Sequence, residues 1–167
     1  MKVTYDIFED ETLCGDVCTE LVEVSDGYHW SYEYMSDKYF KHIEADFSDL
    51  FEINKLQCEM VVGEKKISVE IIKSQDGESS YEINGKKVFC NSRIVVFEMI
   101  FLLNYKNVFE NSVIYNPLNN EFVPMNIKGK GDKYTVLFPS LCDIVIENNK
   151  LVSCIMPRDE MQIIMQE

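Results

Sequence analysis

The side chains able to do chemistry are few, and their spacing is loose. The chain holds two histidines, His29 and His42, and six cysteines, Cys14, Cys18, Cys58, Cys90, Cys142 and Cys154. Zinc sites draw on such residues at short, repeated spacings, and CxxC, HxxxH and HExxH are all absent. If Cys14 and Cys18 share one strand, their Cα atoms lie about 13 Å apart. A disulfide needs them within about 7 Å, so these two cannot bridge. Cys142 and Cys154 flank Asn148-Asn149. A two-residue turn there puts them on opposite faces of a hairpin, and a three-residue loop sets them opposite each other. The expectation is six reduced thiols serving mainly as small buried hydrophobes, with no metal and no cofactor.

Glu98 is the one charge inside an apolar run, IVVFEMIFLL, at residues 94–103. A buried carboxyl has a raised pKa unless it is paired, and such groups can act as general acids. The bland reading is a carboxylate at an open sheet edge, in water or bonded to a tyrosine. Hydrolytic chemistry around His42, Cys90 or Glu98 would need two of these groups within hydrogen-bond reach in a cleft. Cys90 sits beside Phe89 after an expected strand, which favours a structural thiol over a nucleophile. Tyr28, Trp30, Tyr32 and Tyr34 alternate with His29, Ser31 and Glu33, which is strand periodicity with one aromatic face. That face can pack a core, or it can stack on a ligand.

These groups must be positioned by a mostly β scaffold. Alternation predicts strands at residues 3–7, 13–24, 28–34, 40–47, 56–60 and 67–71. The acidic stretch Glu9–Glu11 is expected to turn the chain, and hairpin turns are expected at Ser25-Asp26-Gly27, Gln75-Asp76-Gly77-Glu78 and Asn84-Gly85, the last being the strongest short hairpin signal in the chain. Later hairpins are expected between 121–127 and 133–138, turning at 128–132, and between 143–147 and 150–156. A short strand follows at 162–165. The run at 94–103 is long for a strand, and its flanks, Arg93 and Asn104, fit helix ends. It predicts one helix, capped by Asn91 or Ser92, although four β-branched residues keep a strand open. The fold class expected is mainly β: a curled antiparallel open sheet, an unclosed barrel of about ten strands, wrapped round one apolar helix. A helix apolar on every side must be covered on every side, and so large a sheet must curl.

Length fits a single β-rich domain over residues 1–167. With 16 basic against 29 acidic residues the net charge is −13. That balance argues against nucleic acid and against anionic membrane surfaces, while permitting a cationic partner. No apolar run is long enough to span a bilayer, no leader is visible after Met1, and the expected location is the cytoplasm. Dimerisation through a sheet edge stays open.

The layout resembles the unclosed β-barrels of bacterial lipoprotein-carrier proteins, and uncharacterised bacterial families of that architecture, some described as glycolipid-binding. The resemblance lies in the early Ser25-Asp26-Gly27 turn, the central run with Phe97 and Phe101, and the closing hairpin NNKLVSCIMP at residues 148–157. It implies a concave apolar cavity and no catalytic residues. The functional expectation is a non-enzymatic binding protein for an apolar or amphipathic small molecule. Tyr28, Trp30, Tyr32, Tyr34, Phe97, Glu98 and Phe101 are its candidate contacts. The alternatives are a protein–protein interaction module and a hydrolase.

Overall fold

The computed structural model describes residues 1–75, 79–103, 105, 108–109, 111–130, 132–138, 141–148 and 150–166. It is mainly β, with 69% of residues in strands. In chain order the strands are β1 (Lys2–Glu9), β2 (Thr12–Val24), β3 (Gly27–Ser36), β4 (Tyr39–Phe47), β5 (Ile53–Val62), β6 (Lys65–Lys73), β7 (Ser80–Ile83) and β8 (Lys86–Phe89). Then come β9 (Arg93–Val95), β10 (Ser112–Asn116), β11 (Glu121–Pro124), β12 (Asn126–Lys130), β13 (Lys133–Phe138), β14 (Cys142–Glu147), β15 (Lys150–Met156) and β16 (Met161–Met165). Thirteen form one antiparallel sheet, ordered β12-β13-β14-β15-β16-β1-β2-β3-β4-β5-β6-β7-β8. The other three form a small sheet, β11-β10-β9, in which β9 and β10 run parallel.

Turn chemistry explains the hairpins. Asp10 and Glu11 both take positive φ (48° and 61°), as do Asn84 (49°) and Gly85 (75°), the backbone demanded by tight two-residue hairpin turns. Gly27 has φ +137°, and a Cβ there would lie 2.0 Å from the Phe47 carbonyl oxygen, so only glycine lets β3 lie against the end of β4. The expected turn at Gln75-Asp76-Gly77-Glu78 falls largely outside the described residues, as do Asn104, Gly131 and Asn149.

The expected single helix over residues 94–103 does not form. Ile94 and Val95 pair with β10 as a short strand, and Phe97–Leu102 winds as a 3-10 turn. Val96, at its start, is extended and makes no side-chain cap. Three consecutive β-branched residues favour the strand, and too few residues remain for an α-helix to repay its nucleation. The count of about ten strands is likewise corrected to sixteen described ones. The extra strands are short, and one of them, β9, takes the first two residues of the run at 94–103. The expected strand at 121–127 splits at Met125, its halves serving different sheets, and 128–130 extends β12 instead of turning.

The 3-10 turn is nonetheless the centre of the core. Met99, Ile100, Phe101 and Leu102 are buried. Phe101 meets Tyr5 of β1 edge-on at 4.9 Å between ring centroids and Tyr32 of β3 at 5.5 Å. Leu102 shares a small void with Leu151 of β15, and Glu98 pairs with Lys41 of β4. Six residues of 3-10 helix span about 12 Å. From β15 to β4 is five strand spacings, about 24 Å on a flat sheet. One short turn touches both only because the sheet bends round it. The sheet does not close: β8 and β12 are its two ends. Their lysines, among them Lys86, Lys87 and Lys128, discourage edge-to-edge pairing.

Candidate functional site

On β4 the inward side chains are Tyr39, Lys41, Ile43, Ala45 and Phe47, a parity that places a lysine among core residues. Lys41 is 6% exposed and Glu98 15%, and the Lys41 ammonium donates to Glu98 Oε1. Burial is the largest single influence on the Lys41 pKa and works to lower it, but the adjoining Glu98 carboxylate, Tyr39 and Cys58 together hold the pKa above the usual lysine value, so the ammonium stays charged. Glu98 Oε2 is buried and has no hydrogen-bond partner among the described residues. Burial pushes the Tyr39 phenol up to about 12, and the Tyr39 hydroxyl lies 3.5 Å from the Met60 sulfur. Burial likewise pushes the nearby Cys58 thiol up to about 12, which keeps it protonated and unreactive.

The pair borders a pocket of about 220 Å³ between β4, the 3-10 turn and the β10–β11 hairpin. Its walls include Tyr39, Phe97, Ile114 and Val123, with Lys41 and Glu98 as the charged part of the lining. An apolar cavity of 150 Å³ accommodates benzene, so this one suits a small molecule with an apolar body.

The aromatic ladder is placed differently along its length. Trp30 has no exposed surface, and its Nε1 donates to Thr19 Oγ1 at 2.7 Å. Tyr32 is buried against Phe101, and burial, reinforced by Glu98, raises its pKa well above the ordinary phenol value. Tyr28 stacks on Phe51 at 4.5 Å, and Tyr34 meets Tyr39 edge-on at 5.0 Å. Of the seven sequence-derived contacts, the structure brings Phe97 and Glu98 into the pocket. Trp30, Tyr32 and Phe101 form packed core around the 3-10 turn, and Tyr28 and Tyr34 pack at its margins.

Sequence reasoning missed Lys41, Ile114 and Val123. The alternation of β4 did carry a signal for Lys41, since it shares parity with Ile43, Ala45 and Phe47. No comparable signal announced β10.

His42 lies on the outer face of β4, next to Glu33 and Glu44, while Glu98 is paired on the inner side. Cys90 follows β8, its amide bonded to the Ser79 carbonyl. No hydrogen bond joins any two of His42, Cys90 and Glu98 among the described residues. All six cysteines are free thiols. Cys142 and Cys154, expected on opposite faces for a two-residue turn, share the buried face: a bulge beyond Val145 shifts the register so that Ile144 pairs with Cys154.

No protein-family model, no curated protein and no solved structure matches the chain. What the structure shows is a large, antiparallel sheet that does not close. No helix among the described residues is long and apolar enough to cross a membrane.

Proposed function

We propose that the protein is a non-enzymatic binder of a small amphipathic molecule, held between the sheet and the β10–β11 hairpin. The observation that carries this is the pocket of about 220 Å³ whose apolar walls meet the Lys41–Glu98 pair. Ligand sites combine such apolar walls with a few fixed polar groups that set orientation. The pair is largely shielded from water and held between β4 and the 3-10 turn, so it offers a polar anchor without a flexible arm. The chemistry to be expected is binding and not turnover: the lysine is held as an ammonium, and the neighbouring thiol and phenols are held protonated.

Methyl-resolved NMR with hexanol and hexanoate as probes tests this reading. Saturable shifts at Ile114 and Val123, abolished by Val123→Phe with the fold retained, are the expected result. Shifts scattered over the surface, or none up to 10 mM probe, would sink it.

A further inference from the structure

The Lys41–Glu98 pair has bonding capacity left over, and the kind left over selects the head of a ligand. An ammonium carries three N–H donors, and a carboxylate only accepts, with lone pairs on both oxygens. Among the described residues Lys41 makes one hydrogen bond, to Glu98 Oε1, and Glu98 Oε2 makes none. Both residues line the pocket. The pair thus sets unused donors beside an unused acceptor where polar groups are costly to leave unmet.

The other polar side chains of the lining are turned to partners within the protein. The Tyr39 hydroxyl is directed to the Met60 sulfur. The Tyr115 hydroxyl donates to Asn120 Oδ1 at 2.7 Å, and Asn116 Oδ1 accepts from the Leu118 amide at 3.0 Å. These bonds brace β4 and the β10–β11 turn, which leaves the pair as the buried polar feature with capacity to spare.

We propose that the pocket selects a neutral amphiphile headed by a hydroxyl, whose oxygen accepts from the Lys41 ammonium and whose O–H donates to Glu98 Oε2. This rests on the binding reading above and names the head group that the site recognises. A hydroxyl donates and accepts through one atom, so a single oxygen meets both demands. The terminal torsion of a glutamate is soft, so the carboxylate can turn to share its oxygens between lysine and pocket. The competing heads each fail on one count. An ether accepts from Lys41 but offers Glu98 nothing. A carboxylate head sets its lone pairs against Oε2 and adds net charge beside a pair whose own charges cancel. An ammonium head suits Glu98 but stands against Lys41. The apolar body of the alcohol lies along Phe97, Ile114 and Val123.

Four probes of similar size test the assignment on the full chain at pH 7.5: 1-hexanol, its isomer methyl pentyl ether, hexanoate and hexylammonium. Methyl shifts at Ile114 and Val123 give a dissociation constant for each. Hexanol should bind about tenfold or more tighter than the ether, because a site built to bond a hydroxyl rejects the analogue that lacks its proton. Both charged probes should also be weaker than hexanol. In Lys41→Met/Glu98→Leu, hexanol should bind no better than the ether. Ether or hexanoate binding in the pocket as tightly as hexanol would overturn the hydroxyl assignment while leaving an amphiphile binder in place. So would a hexanol preference that survives in the double variant. An absence of pocket shifts with all four probes would overturn both readings.

Discussion

Lys41 and Glu98 show how much one residue's parity decides. An alkyl or aromatic side chain at position 41 would extend the core of β4, yet the chain places an ammonium there and meets it with a carboxylate from the 3-10 turn. Removing one member of a buried pair leaves the other charged and unpaired, at a cost of about 3–5 kcal/mol. Replacing both by apolar groups of similar size is often neutral or stabilising. Urea denaturation should accordingly find Lys41→Met destabilised by about 3 kcal/mol or more, and Lys41→Met/Glu98→Leu restored to within about 1 kcal/mol of the parent. A double variant as unstable as the single one would mean the pair is not the interaction that matters. If the stable double variant also loses hexanoate or hexanol binding, the pair is retained for the ligand and not for the fold.

At the scale of elements, two glycines of similar sequence context should behave differently. Gly85 (φ +75°) has open space where a Cβ would go, so Gly85→Ala meets only backbone strain, about 1–2 kcal/mol. Gly27 adds a backbone collision with Phe47, so Gly27→Ala should cost clearly more and loosen the β3–β4 pairing. Thermal melts of the two variants check the order, and equal losses would refute the close-approach argument. Elements of this kind were the most legible from sequence. The alternations in β1 to β6 and the Asn84-Gly85 turn state their structure locally. Residues 94–103 do not, because a run apolar but for Glu98 has no clear periodicity, and the choice between strand and helix passed to pairing with β10, a segment outside the run. The same limit applied to the candidate site. Glu98 and Phe97 stood out as residues, but the pocket exists only where the β10–β11 hairpin folds over them. The bulge that turns Cys154 inward beside Cys142 is likewise a property of two strands together.

For the whole molecule the net charge of −13 is the dominant electrostatic fact. Like-charge repulsion acts over about 10 Å at 0.1 M salt and is cut to about 3 Å at 1 M, while the exposed ion pairs are each worth little. Raising NaCl from 20 mM to 500 mM at pH 7.5 should therefore raise Tm by several degrees, measured by differential scanning calorimetry. A fall in Tm would mean that the local pairs outweigh the repulsion.

The sheet also has a seam. β1 pairs with β16, and the side chain of Gln166 donates to Asp6, 160 residues away. On either side lie meanders of successive hairpins, β1 to β8 and β12 to β16. Each meander can assemble from neighbours in sequence on the microsecond scale of hairpins, whereas the seam must wait for ends separated by nearly the whole chain. Until it closes, β1 and β16 present open edges, with Ile7 and Ile163 still in water. The folded sheet ends in short strands bearing lysine, but during that interval the chain has two further edges without such protection. Its exposure to aggregation is thus set by how long the seam takes to form.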